Sequence, residues 1–193
     1  MKYIYKVKCH YVWYYSEVIY SSSDLKRYCY TDEIGIFSSL ENAEDFIRSY
    51  HKIFKGDKII GFNIEMIPID PKEICHFSSL YSYDSVGNRL CASEYDENGY
   101  TKFTGRTEDI HFKPNDIVLY IEDNNSEPVM IVDIPISKCT GGDYSDDCYI
   151  AVKCNNGHFH PHVTTLFPNI YKVDSYLRRK MENRLENYNL YGF

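Results

Sequence analysis

The chain has 193 residues, 44% hydrophobic and 25% charged, which suits one medium domain or two small ones and excludes a disordered tract of that length. No apolar run reaches the roughly 18 residues that span a bilayer. The net charge of −7 is concentrated in residues 71–150, which carry 6 basic and 15 acidic groups. That middle disfavours non-specific binding to a phosphate backbone, which needs clustered Lys and Arg.

The opening stretch MKYIYKVKCHYVW lacks the apolar core of an export signal, so a cytoplasmic location is expected. The seven cysteines are scattered, odd in number and contain no C-x-x-C pair. They read as reduced thiols, several buried as small hydrophobes. Tyrosine is the compositional outlier, with 20 residues. Tyrosine-rich surfaces bind partners well, but an AT-rich coding sequence gives the same excess without selection for binding.

Residues 2–15 predict a long strand, with Tyr3, Tyr5, Val7, Cys9, Tyr11 and Trp13 on one face by alternation. A short strand, EIGIFSS, follows the loop signal at Ser21–Asp24. Ser38-Ser39-Leu40-Glu41 has the S-x-x-E form of a capping box, and Leu40, Ala43, Phe46, Ile47, Tyr50 and Phe54 continue at helical spacing. GFNIEMIPID is a third strand, ended by Pro68 and Pro71. The order β-β-α-β predicts a small sheet with one helix across it.

The character changes near residue 75, so the chain divides into 1–74 and 75–193. Asp84 to Asn88 form a hairpin loop between Tyr81–Tyr83 and Leu90–Tyr95, and Asn98-Gly99 marks another turn. The apolar runs Ile117 to Ile121 and Val129 to Ile134 predict strands buried on both faces. A last hairpin carries CYIAVKC and HFHPHV, and a final helix starts at Asp174 with Leu177, Met181, Leu185 and Tyr188 along one side. The expected fold class is α+β. An N-terminal β-β-α-β unit precedes a β-rich, SH3-like small barrel and a C-terminal helix.

The hairpin holds the best chemical lead, CNNGHFHPH at Cys154 to His162. If Asn156-Gly157 is the two-residue turn, Cys154 faces Phe159 and Val152 faces Pro161, which puts the apolar residues on one face. His158, His160 and His162 then point outward beside Lys153, away from Cys154. Same-face positions lie about 6.6–6.8 Å apart, so three in a straight row reach too far for one ion unless the strand bends at Pro161. An exposed polar face is the leading expectation, followed by a pH-sensitive contact surface and then a metal site at His158, His160 and His162.

No phosphate-cradling glycine loop, nucleophile elbow or H-E-x-x-H helix is present. Cys75-His76 would point to opposite faces of a strand. Arg178-Arg179-Lys180 is too short for a nucleic-acid footprint.

FKPNDIVLYI, YSDDCYIAV, GHFHPHVTTLFPN and the LRRKMENRL helix resemble uncharacterised bacterial proteins. Those carry an F-x-P-G-D-I-V strand, a D-D-x-Y strand and an H-x-H…L-F-P segment. GIFSSLENAEDFI…FNIEMIPID likewise resembles a small β-β-α-β domain of unknown function. Asn115 stands where the first motif has glycine. The resemblance covers about two thirds of the chain and implies a shared architecture, with no activity attached.

The expected function is therefore that of a non-enzymatic binding protein, an inhibitor or adaptor of phage or mobile-element type. Its partner is a protein or a small ligand, met through Asp146, Asp147, Tyr149, His158, His160, His162 and Phe167. No cofactor, membrane contact or nucleic acid is expected. The alternatives are a metal-dependent hydrolase holding zinc or another divalent ion on the three histidines, and a nucleic-acid-binding barrel.

Overall fold

A computed structural model of the chain describes residues 2–12, 18–19, 29–53, 58–69, 79–95, 101–103, 112–122, 125–133, 151–154, 157–159 and 161–190. Of these, 19, 51–53, 94–95, 101–103, 125, 133, 151, 158, 163 and 184–190 are described by their backbone alone. The architecture is α+β and strand-rich, with two antiparallel sheets and two helices.

The first half supplies β1 (Lys2–Val12), β2 (Val18–Ile19), β3 (Cys29–Phe37), α1 (Leu40–Ile53), β4 (Lys58–Ile69), β5 (Ser79–Asp84), β6 (Arg89–Tyr95) and β7 (Thr101–Phe103). Six of the strands form one sheet in the order β3-β1-β4-β5-β6-β7. The boundary expected at 74/75 falls between β4 and β5, which are hydrogen-bonded neighbours in this sheet. Pro68 lies inside β4 rather than ending it. Among the described residues pairing with β5 stops at Met66, and proline, which lacks an N–H, is tolerated where one side of a ladder ends.

The helix α1 covers one face of this sheet. Ala43 and Ile47 are buried against Val7, Cys9, Phe62, Ile64, Tyr81 and Tyr83, while Leu40 and Tyr50 close the margin. The stripe follows the expected spacing, but the cap is shifted by one residue. Ser39 Oγ accepts the N–H of Asn42 at 3.2 Å, so Ser39 takes the capping role expected of Ser38. Glu44 fixes the helix to the sheet, accepting bonds from Tyr83 Oη and Arg89 Nη2, both at 2.7 Å. Burial opposes ionisation there, yet the bonds from Tyr83 and Arg89 hold its carboxyl below the ordinary range.

The second half supplies β8 (Ile117–Glu122), β9 (Asn125–Asp133), β10 (Ala151–Cys154), β11 (Gly157–Phe159), a 3-10 turn (Val163–Thr165), β12 (Leu166–Pro168), β13 (Lys172–Val173) and α2 (Ser175–Leu190). Its sheet has the order β11-β10-β9-β8-β12, while β13 pairs with β2 in parallel. Among the described residues β11 and β12 stand at opposite ends of that order and do not pair, so no closed barrel is formed there. No helix of the described residues is long and apolar enough to cross a membrane.

Lys113 to Asp116 lead into β8 through a turn closed by the Asp116 N–H to the Lys113 carbonyl, 2.9 Å. Asn115 sits there with φ 72°, the left-handed conformation that asparagine tolerates better than other side-chain-bearing residues.

The β8–β9 sheet is buried on both faces, as its apolar runs predict. Val118, Tyr120, Val129, Ile131, Val152, Cys154 and Leu166 pack together on one face. On the other, Leu119, Ile121, Met130 and Phe167 meet Val12, Ile60 and Leu90 of the first sheet and Leu177 and Met181 of α2. The two sheets therefore share one core.

A bulge opens that contact. Between His10 and Tyr11 the β1–β4 register slips, so that Tyr11 pairs with Ile59 and His10 with Gly61, leaving Ile60 extra. Ile59 then packs toward α1 and Ile60 toward the second sheet. Beside it, Gly61 lets Phe167 lie directly on the strand. A β-carbon at Gly61 would stand 2.5 Å from Phe167 Cδ1 and 2.5 Å from the carbonyl oxygen of Tyr83. Gly61→Ala is therefore expected to lower unfolding stability by about 1–3 kcal/mol through overpacking, as measured by urea denaturation. Unchanged stability would show that the sheets do not meet at this point.

Candidate functional site

The histidine hairpin forms with the expected sidedness and a different register. Cys154 pairs with Gly157, Lys153 with His158 and Val152 with Phe159, a slip of two residues from the predicted pairing. A two-residue slip keeps every side chain on its face, so the hydrophobic pattern is equally satisfied by both registers.

The outward face is another matter. Lys153 has no exposed surface and lies on the same side as Met130, its partner in β9, which belongs to the shared core. The strand is enclosed on both sides at this position, so Lys153 is no part of the open polar face expected there.

Of the expected contact residues, Asp146, Asp147, Tyr149 and His160 lie outside the described residues, as does the side chain of His158. Among the described residues no three His, Cys, Asp or Glu side chains come together as a metal-ligand set. Phe167 is fully buried, its ring 4.9 Å from that of His10, so it packs the core rather than facing a partner. His162 is half-buried and belongs to a hydrogen-bonded network.

Thr164, in the 3-10 turn, is the hub of that network. Its N–H and its hydroxyl both approach His162 Nδ1, at 3.3 and 2.6 Å. Since the N–H can only donate, Nδ1 accepts and the ring proton sits on Nε2. Burial lowers the pKa of this ring, against an opposing effect from the charge of Glu122. The Thr164 carbonyl accepts Asn63 Nδ2 at 3.2 Å, and the same nitrogen lies 3.4 Å from the Tyr81 carbonyl. Two carbonyl acceptors fix the orientation of the Asn63 amide, turning Oδ1 toward His10 Nε2 at 2.6 Å. His10 therefore donates from Nε2, and its Nδ1 accepts the Thr31 hydroxyl at 2.8 Å.

His10 is 4% exposed, and burial pushes its pKa down to about 4 despite the opposing bond to Asn63; the nearby Lys8 charge lowers it further. Both of its nitrogens are bonded to structural partners. The arrangement holds a neutral imidazole within the first sheet and against the Phe167 ring, with Asn63 carrying the link on to Thr164. Neighbouring thiols are equally quiet: burial pushes Cys9 up to about 12 and Cys29 up to about 11, so both stay protonated near neutrality.

A second feature, absent from the sequence reading, lies at the other side of β8. A cleft of about 550 Å³ is lined by Asn115, Asp116 and Ile117 together with the segment after β12 and the first turn of α2, including Lys172 and Arg178. Its volume is within the range of small-ligand sites. Asn169 shapes its rim, with its amide bonded to both backbone groups of Tyr171. Asp174 Oδ1 caps α2 through the Tyr176 N–H at 2.9 Å.

No family model matches the chain, and neither does any curated protein or solved structure.

The buried His10 ring implies an acid-sensitive junction. Its folded pKa lies below its unfolded value of 6.5, so its stabilising contribution is complete above about pH 6.5 and lost as pH falls toward 4. Relative to His10→Gln, which keeps a donor and an acceptor but does not titrate, the native chain is expected to lose roughly 3 kcal/mol between neutral pH and pH 4. Denaturant melts of both proteins across that range measure it, and a difference that stays flat with pH would refute the assignment.

Proposed function

We propose that the chain is a non-enzymatic binding protein that takes an extended, basic segment of a protein partner along the open edge of β3. The observation that carries this reading is the edge itself. β3 is nine residues long and pairs with β1 on one side, and among the described residues no strand occupies its other side. A row of unsatisfied backbone groups of that length is a template for strand addition.

The side chains favour one kind of occupant. Tyr30 is 44% exposed and stacks on Tyr11 at 5.8 Å, and Ile36 is 63% exposed, so apolar anchors flank the edge. Asp32 and Glu33 are exposed between them. In a chain of net charge −7 these carboxylates favour a basic strand and oppose pairing with a second copy, which would bring acids against acids.

The strand order β12-β8-β9-β10-β11, with a 3-10 turn directly before β12, supports reading the second sheet as an open, SH3-like small barrel. Barrels of that kind serve many unrelated specificities, so the partner is argued from the edge. Asp146, Asp147, Tyr149, His158, His160 and His162 are proposed as further contact residues. Such a protein would act as an inhibitor or adaptor.

Fluorescence anisotropy with two nine-residue peptides tests the reading. One alternates Lys with Val and Tyr; the other replaces every Lys by Glu. The basic peptide is expected to bind with a micromolar Kd that weakens in salt and rises at least tenfold in Tyr30→Ser with Ile36→Lys. Equal affinity for both peptides, or no binding of either, would contradict it.

A further inference from the structure

The cleft beside α2 collects opposite charges and does not pair them. Asp116 comes from the turn before β8, Lys172 from β13 and Arg178 from the first turns of α2. Among the described residues Asp116 forms no ion pair with either cation. One Asp116 oxygen, Oδ2, accepts the Lys113 N–H at 2.8 Å, which fixes the carboxylate and leaves Oδ1 without a bond. Arg178 uses Nε for Glu182, at 3.0 Å, and keeps its two terminal nitrogens. Lys172 likewise makes no ion pair among the described residues. Ile117 and Val173, both half-buried, give the otherwise mainly polar cleft a small aliphatic patch.

Charges of both signs in one recess, held apart by separate segments of backbone, are complementary to a ligand that carries both signs itself. A simple anion would meet Asp116 as a repulsive neighbour, and a simple cation would meet Lys172 and Arg178. Only a molecule with an ammonium and a carboxylate satisfies all three, and the aliphatic patch suits an apolar side chain between them.

We propose that this cleft binds a short zwitterionic peptide with aliphatic side chains, its ammonium at Asp116 and its carboxylate at Lys172 and Arg178. The site is separate from the β3 edge, and neither reading depends on the other.

Isothermal titration of the full chain with the dipeptide Leu-Leu, N-acetyl-Leu-Leu and Leu-Leu-amide tests the assignment. Leu-Leu is expected to bind in the micromolar to millimolar range, with the acetylated and amidated forms each at least tenfold weaker. Asp116→Asn, whose amide oxygen can still accept the Lys113 N–H, is expected to remove the discrimination against the acetyl form. Lys172→Gln with Arg178→Gln is expected to remove discrimination against the amide. Both sites are exposed, and a melting temperature within a degree or two of the native one, roughly the effect of a neutral surface change, verifies folding. Equal binding of all three dipeptides, no binding of any, or variants that keep the native discrimination would overturn the proposal.

Discussion

The amide of Asn63 is the point on which the two halves of the molecule depend. It stands at a place where two carbonyls from different parts of the chain, Tyr81 in β5 and Thr164 in the 3-10 turn, approach the same buried strand. One side-chain amide reaches both, which ties the 3-10 turn of the second half to the first sheet. Its remaining oxygen takes the proton of His10, whose other nitrogen takes the hydroxyl of Thr31. Each group in this sequence fixes the orientation of the next. The result is directional in a way that apolar packing alone is not, because only one register of β1, β3 and β4 brings His10, Thr31 and Asn63 together.

Around that bridge the packing is conditional. Phe167 reaches the first sheet because Gly61 has no side chain and because the bulge at Ile60 turns an extra apolar residue toward it. Lys153 is enclosed on the same side of the second sheet. Polar groups so placed add little net stability when satisfied and cost much when they are not, so they specify the arrangement more than they strengthen it. The proposed contact features lie away from this junction, at the β3 edge and in the cleft by α2. β3 is anchored through Ile34 and Phe37 in the cluster under α1, and α2 through Leu177 and Met181 in the shared core, which gives each surface a firm base.

Much of the fold was legible because alternation and helical spacing report burial directly. The β1–β3–α1–β4 unit, the Asp84–Asn88 hairpin and the doubly buried β8 and β9 follow from where Val7, Cys9, Ile47, Val118 and Val129 fall. What was not legible has a common cause. Lys6, Lys8 and His10 alternate with the apolar face of β1, and the spacing says only that they point the other way. Lys6 and Lys8 do meet carboxylates there, Glu65 between them. His10 instead turns into the shared core, which only the partner sheet reveals. The two-residue slip of the histidine hairpin is invisible to a pattern of period two. The cleft is assembled from Asp116, Lys172 and Arg178, distant in sequence and ordinary as single surface residues. The one available signal was Asn63, an amide set inside the apolar run GFNIEM, which asks for internal partners.

The account stands most directly on the protonation of His10, which nitrogen-15 NMR of the histidine rings at about pH 6 reads out. The structure predicts a neutral ring with its proton on Nε2, Nδ1 shifted as an acceptor, and slow exchange with solvent. A charged ring, or a neutral one protonated on Nδ1, would contradict the bridge through Asn63 and with it the junction of the two sheets.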